Sequence, residues 1–95
     1  MTPPFLVRTT PRFERRVRTL LRGHPELHAL QARVVAILEI DPHNRTGAHP
    51  IKKLQGVSPG EGQYRLRLGR WRFRYDIFGR EVVLHYCGLR REDTY

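Results

Sequence analysis

Arginine alternates with apolar residues through Tyr64-Arg65-Leu66-Arg67-Leu68, and again in the opposite phase through Trp71-Arg72-Phe73-Arg74-Tyr75-Asp76-Ile77. A guanidinium is planar, permanently charged and able to donate two parallel hydrogen bonds to a phosphate. A set of them can hold a phosphodiester and neutralise negative charge that develops on it. It makes a poor proton acceptor, because its pKa lies above ~12. Side chains alternate across a strand with period two, so each run has one apolar and one cationic face. If the two runs are neighbouring strands, Arg65, Arg67, Arg72 and Arg74 share one surface. Tyr64, Leu66, Leu68, Trp71, Phe73, Tyr75 and Ile77 then share the other.

The elements that must position these arginines can be read on either side. Phe5-Leu6-Val7 is a short apolar run suited to a first strand. Thr10-Pro11 has the form of a helix start, threonine as N-cap and proline in the first turn. Phe13, Val17, Leu20 and Leu21 then recur on one face of a helix, with Arg12, Arg15, Arg16, Arg18 and Arg22 around the others. Gly23 ends this helix and Pro25 opens a second, whose buried stripe is Leu27, Leu30, Val34, Ile37 and Leu38. It stops at Asp41-Pro42, because a residue before proline avoids the helical region. Pro42 to Gly62 is rich in turn formers and reads as a connection, interrupted by the basic piece Ile51-Lys52-Lys53-Leu54. Three strands follow, joined by a two-residue turn at Gly69-Arg70 and by Gly79-Arg80, where glycine in the first central position suits a type II′ hairpin. Strict alternation along the last strand puts Val82, Leu84 and Tyr86 on one face and Val83, His85 and Cys87 on the other. The expected fold is α+β, in the order β-α-α-β-β-β. Two amphipathic helices cover the apolar face of the sheet and leave the arginine face open.

Composition narrows the partners. The 95 residues suffice for one domain, residues 1–95, with a modest core. Eighteen Lys and Arg stand against nine Asp and Glu, a formal charge of +9, and only two of the eighteen are lysine. An acidic partner follows, nucleic acid first, an acidic protein second and an anionic membrane last. No apolar run approaches the about 20 residues that span a bilayer, and the start, Met1-Thr2-Pro3-Pro4, lacks the features of a signal peptide. The single Cys87 leaves no internal disulfide and suits a reducing cytoplasm, the expected location. The five histidines, His24, His28, His43, His49 and His85, are scattered, so neither a metal site nor another cofactor is expected. The arginines of the first helix, Arg12, Arg15 and Arg16 among them, read as a solvated face, with salt-sensitive RNA contact the alternative.

Three stretches resemble the RelE/ParE superfamily of toxins from type II toxin–antitoxin systems. They are Lys52-Lys53-Leu54-Gln55-Gly56, the run from Tyr64 to Tyr75, and the ending Gly88-Leu89-Arg90-Arg91-Glu92-Asp93-Thr94-Tyr95. The resemblance covers nearly the whole chain and favours the RelE-like branch. There it implies a ribosome-dependent endoribonuclease (an mRNA interferase) that cuts mRNA in the A site without a metal. The ParE-like alternative shares the fold but inhibits DNA gyrase by protein binding. A degenerate member would only bind its antitoxin. In every case a cognate antitoxin is the implied partner. For the RelE-like branch, mRNA and ribosomal RNA are partners as well.

Carried over by position, the resemblance assigns catalytic or substrate-binding roles to Arg65, Arg67, Arg72, Arg90 and Tyr95. Arg72 and Arg90 would stabilise charge at the phosphorus. Arg65 and Arg67 would hold the backbone and assist the leaving group. Tyr95 would act as the base, its phenolate favoured by nearby guanidinium groups, or would stack on a nucleobase. Lys52, Lys53, Arg74 and Arg91 are the expected further RNA contacts. His85 is a second titratable candidate on the open face.

Overall fold

A computed structural model describes residues 2–90. Seven elements follow in order: β1 (Leu6–Thr9), α1 (Pro11–Leu21), α2 (Leu27–Ile40), β2 (Ile51–Lys53), β3 (Tyr64–Leu68), β4 (Trp71–Phe78) and β5 (Glu81–Leu89). The strands form a single sheet in the order β1-β5-β4-β3-β2. β1 runs parallel to β5, and every other pair is antiparallel. The result is the α+β architecture read from the sequence, with one strand more than expected. Ile51-Lys52-Lys53 is an edge strand paired to β3, not part of a plain connection.

Local chemistry sets the boundaries. The Thr10 hydroxyl accepts from the Phe13 N–H at 3.1 Å, and Pro11 occupies the first turn, where its missing N–H costs nothing. α2 begins two residues after Pro25, because His24 to Glu26 form a turn first. It ends at Ile40, as Asp41-Pro42 requires. The Asp41 carboxylate then shapes the exit, accepting from Arg45 N, Thr46 N and the Thr46 hydroxyl at 2.8, 3.2 and 2.6 Å. Gly69 and Gly79 both take φ of +60°, while Arg70 and Arg80 do not have positive φ. One left-handed residue in the first central position is the type II′ signature.

Phe13, Val17 and Leu20 of α1 and Leu27, Val34 and Leu38 of α2 are buried against Leu66, Leu68, Trp71, Phe73, Tyr75, Val82, Leu84 and Cys87. Both helices therefore cover one face of the sheet. Tyr75 is wholly enclosed, stacks on Tyr64 with ring centroids 5.4 Å apart, and donates its hydroxyl to Pro42 O at 2.7 Å. Burial pushes its phenol far above the ordinary value, so it stays a neutral donor.

Strict alternation fails in β5. Arg74 pairs with Tyr86, but the next residue, Tyr75, pairs with Leu84, so His85 is an extra residue on β5. This β-bulge inverts the phase of everything beyond it. Cys87 joins Val82 and Leu84 in the core, and Tyr86 turns to the arginine face, the reverse of the expected placement for both.

Candidate nucleic-acid interface

Cross-strand pairing brings the arginines together in two rows. Arg65 is opposite Arg74 and Arg67 is opposite Arg72. Lys52 extends the first row across β2, and Tyr86 extends it across β5, giving Lys52, Arg65, Arg74 and Tyr86 over four strands. The second row is Arg67, Arg72 and Gly88. Like charges directly opposite one another destabilise an antiparallel pair. Two such pairs adjoin on β3 and β4, inside the sheet.

Arg90 follows directly on β5, its N–H donating to Arg70 O at 2.8 Å. That bond ties the end of β5 to the β3–β4 turn. Arg67, Arg90, Pro50 and Gly69 line one cleft of about 350 Å³. With Arg72 paired to Arg67, three of the sequence candidates meet at this end of the sheet. Arg67 and Arg90 are exposed, whereas Arg72 is half-buried and its Nε has no hydrogen-bond partner among the described residues. Two guanidinium groups across one cleft, with a third on the adjoining strand, can cradle a phosphate and offset charge as it grows there.

The remaining candidates are placed differently. Arg74 donates through Nε and a terminal nitrogen to Gly62 O at 3.1 and 2.8 Å, so it braces the loop before β3 while standing in the basic row. Lys53 is opposite Tyr64, its ammonium 5.7 Å from that ring, and so lies on the other side of the sheet from Lys52. Arg91 and Tyr95 lie outside the described residues.

His85 does reach the open face, beside a group that sequence reasoning passed over. Asp76 is fully buried and accepts from Gly62 N at 2.8 Å and Gln63 N at 3.0 Å. His85 Nε2 is 2.7 Å from the same carboxylate, but off the line a hydrogen bond needs, so the contact is a close polar one. A further missed pair is Arg16 and Tyr86. Arg16 donates to the Cys87 carbonyl and, at 2.9 Å, to the Tyr86 hydroxyl, and its guanidinium carbon sits 4.5 Å from the Tyr86 ring centroid. The ring lies over Gly88, where a Cβ would stand 2.6 Å from the tyrosine oxygen. No signal in the sequence locates the bulge that turns Tyr86 this way.

Among the described residues no group of three or more His, Cys, Asp or Glu is placed to hold a metal ion. No helix among them is long and apolar enough to cross a membrane. No protein-family model matches the sequence, and no curated protein does. Among solved structures, the chain is similar to one from the archaeal RelE–RelB complex of Pyrococcus horikoshii OT3. The likeness spans 95% of this chain and 97% of that one, at a TM-score of 0.62 and 24% identity. The sandwich of two helices on an open, mostly antiparallel sheet is thus a fold this chain shares with a component of a RelE–RelB complex.

Proposed function

We propose that the chain is the toxin of a type II toxin–antitoxin system, an endoribonuclease that cuts translated mRNA in the ribosomal A site. The observation that carries this reading is the pairing of Arg67 and Arg90 across one open cleft, with Arg72 beside Arg67 on the neighbouring strand. The fold shared with a RelE–RelB complex supports it.

The reaction is an internal transfer. The 2′-oxygen bonds to phosphorus, the bond to the 5′-oxygen breaks, and a 2′,3′-cyclic phosphate and a 5′-hydroxyl result. One proton leaves the 2′-hydroxyl and one is delivered to the 5′-oxygen. Arg72 and Arg90 stabilise the extra negative charge on the phosphoryl oxygens as the two P–O bonds exchange. Arg65 and Arg67 hold the adjoining backbone, with Lys52 beyond them and Arg74 in the same row. Arginine serves poorly as the base, so the proton transfers fall to a titratable group. Tyr95 is the candidate, by proton transfer or by stacking the base that sets the geometry, and His85 is the alternative on the sheet. The cognate antitoxin carries an acidic segment that covers the same face, by charge complementarity. The site of action is the cytoplasm.

The test is brief induction of the chain followed by primer extension on a translated reporter mRNA, wild type beside Arg72→Ala and Tyr95→Phe. In-frame cuts that fade in both variants are expected. Growth arrest with uncut message would replace this reading with the gyrase-type one, and normal growth with uncut message would leave only an antitoxin-binding protein.

A further inference from the structure

Beyond the end of the basic row, α1 presents Arg12, Arg15, Arg16 and Thr19 on one side, at the spacing that makes helix neighbours. Its opposite side, Phe13, Val17 and Leu20, is in the core. Those four residues, with Leu20 and Tyr86, line an open cleft of about 380 Å³ between α1 and β5. Among the described residues, no acidic side chain lines it. Tyr86 belongs both to this cleft and to the row Lys52, Arg65, Arg74, Tyr86, so the two basic surfaces are continuous. Arg16 holds the junction through the Cys87 carbonyl and the Tyr86 hydroxyl.

The first turn of α1 carries both Arg12 and Glu14, so one of its two charges opposes the helix dipole. Arg12 follows Pro11 directly, where the exposed N–H groups and the helix dipole favour negative charge. Arg12 and, one turn on, Arg15 are both exposed beside the cleft.

We propose that the α1–β5 cleft is a second phosphate-binding site, which receives the RNA backbone as it runs off the sheet past Tyr86. Arg12 and Arg15 each contact a phosphate, and Arg16 positions Tyr86 between the two surfaces. This rests on the reading of the sheet as an RNA-binding face and extends the RNA track from the sheet onto the helix. An acidic peptide would satisfy the same charges. RNA is favoured because the cleft continues a row of cations across four strands, a linear array suited to a phosphate backbone.

The experiment is fluorescence anisotropy of the full chain with a labelled, cleavage-resistant 2′-O-methyl oligoribonucleotide across a series of KCl concentrations. Each phosphate contact to a single strand contributes about 0.7 to the slope of log K against log salt. Arg12→Gln/Arg15→Gln is therefore expected to flatten that slope by about 1.4. Both positions are exposed, so the fold is retained. An unchanged slope in this variant, with a flattened one in Arg65→Gln/Arg67→Gln, would overturn the second site and leave the sheet reading intact. Absence of salt-dependent binding by the wild type would overturn both. A variant that loses only its binding to poly-glutamate would reassign the cleft to an acidic protein.

Discussion

Replacing Asp76 with alanine tests how the open face is held in place. The carboxylate is buried on β4 and accepts from Gly62 N at 2.8 Å and Gln63 N at 3.0 Å, with His85 Nε2 2.7 Å away. Its removal leaves two backbone donors without their acceptor. Each buried donor left unsatisfied costs about 1–3 kcal/mol. Gly62 is buried and Gln63 is only half-buried, so water reaches the second donor more easily than the first. The expected loss is therefore in the lower half of the combined range of about 2–6 kcal/mol, about 3 kcal/mol. That is a large share of the total for a chain of this size, roughly 5–14 kcal/mol at typical stability per residue. Gly62 also supplies the carbonyl that fixes the Arg74 guanidinium, so a loosened loop releases an arginine of the basic row. Urea denaturation followed through the single tryptophan, Trp71, which is buried, reports the change. The midpoint should fall while the slope m stays the same. Asp76→Asn keeps one acceptor oxygen and should lose less. A loss below about 1 kcal/mol in the alanine variant, no more than an ordinary net hydrogen bond, would refute the assignment of Asp76 as the anchor of this loop.

Three further outcomes follow from single contacts. Tyr75→Phe removes the bond to Pro42 O and should cost about 1–2 kcal/mol in the same denaturation assay. Because burial raises the Tyr75 pKa, its stabilisation is complete below the ordinary tyrosine value and declines as pH rises above it; the phenylalanine variant should lack this alkaline component. Asp41 has the opposite sign: the Thr46 hydroxyl, followed by the Arg45 and Thr46 N–H groups, holds its carboxyl below the ordinary value of 3.8. Its contribution is present above that value and is lost as pH falls through the lowered one, so Thr46→Val should unfold at a less acidic pH in an acid titration followed by circular dichroism. Thr10→Ala removes the α1 cap and should cost about 1 kcal/mol by urea denaturation.

Much of this was legible in the sequence wherever period and capping agreed. The opposite arginine phases of β3 and β4 put Arg65 against Arg74 and Arg67 against Arg72, as alternation requires once a two-residue turn joins the strands. Thr10-Pro11 and Asp41-Pro42 bracketed the helices because proline constrains backbone φ and the residue before it. The exceptions arise from tertiary pairing. Ile51-Lys52-Lys53 is too short to show a period, and becomes a strand because β3 offers it an edge. The bulge at His85 follows from how β5 fits β4, and no residue type announces it. Tyr86 and Cys87 were consequently assigned to each other's faces. Arg16 read as a solvated cation because its partners, the Cys87 carbonyl and Tyr86, are more than seventy residues away or nearly so. Asp76 read as one more polar position in an alternating strand, whereas its partners come from the loop before β3 and from the bulge.

The most direct test of the central claim is a purified reaction: the chain added to ribosomes carrying a defined mRNA with an empty A site, beside the same mRNA free in solution. Primer extension and end-group analysis would read the products. The account predicts cleavage of the ribosome-bound message within the A-site codon, leaving a 2′,3′-cyclic phosphate, and strong loss of cleavage with Arg72→Ala. Intact message in the wild-type reaction, or cleavage undiminished in Arg72→Ala, would contradict it.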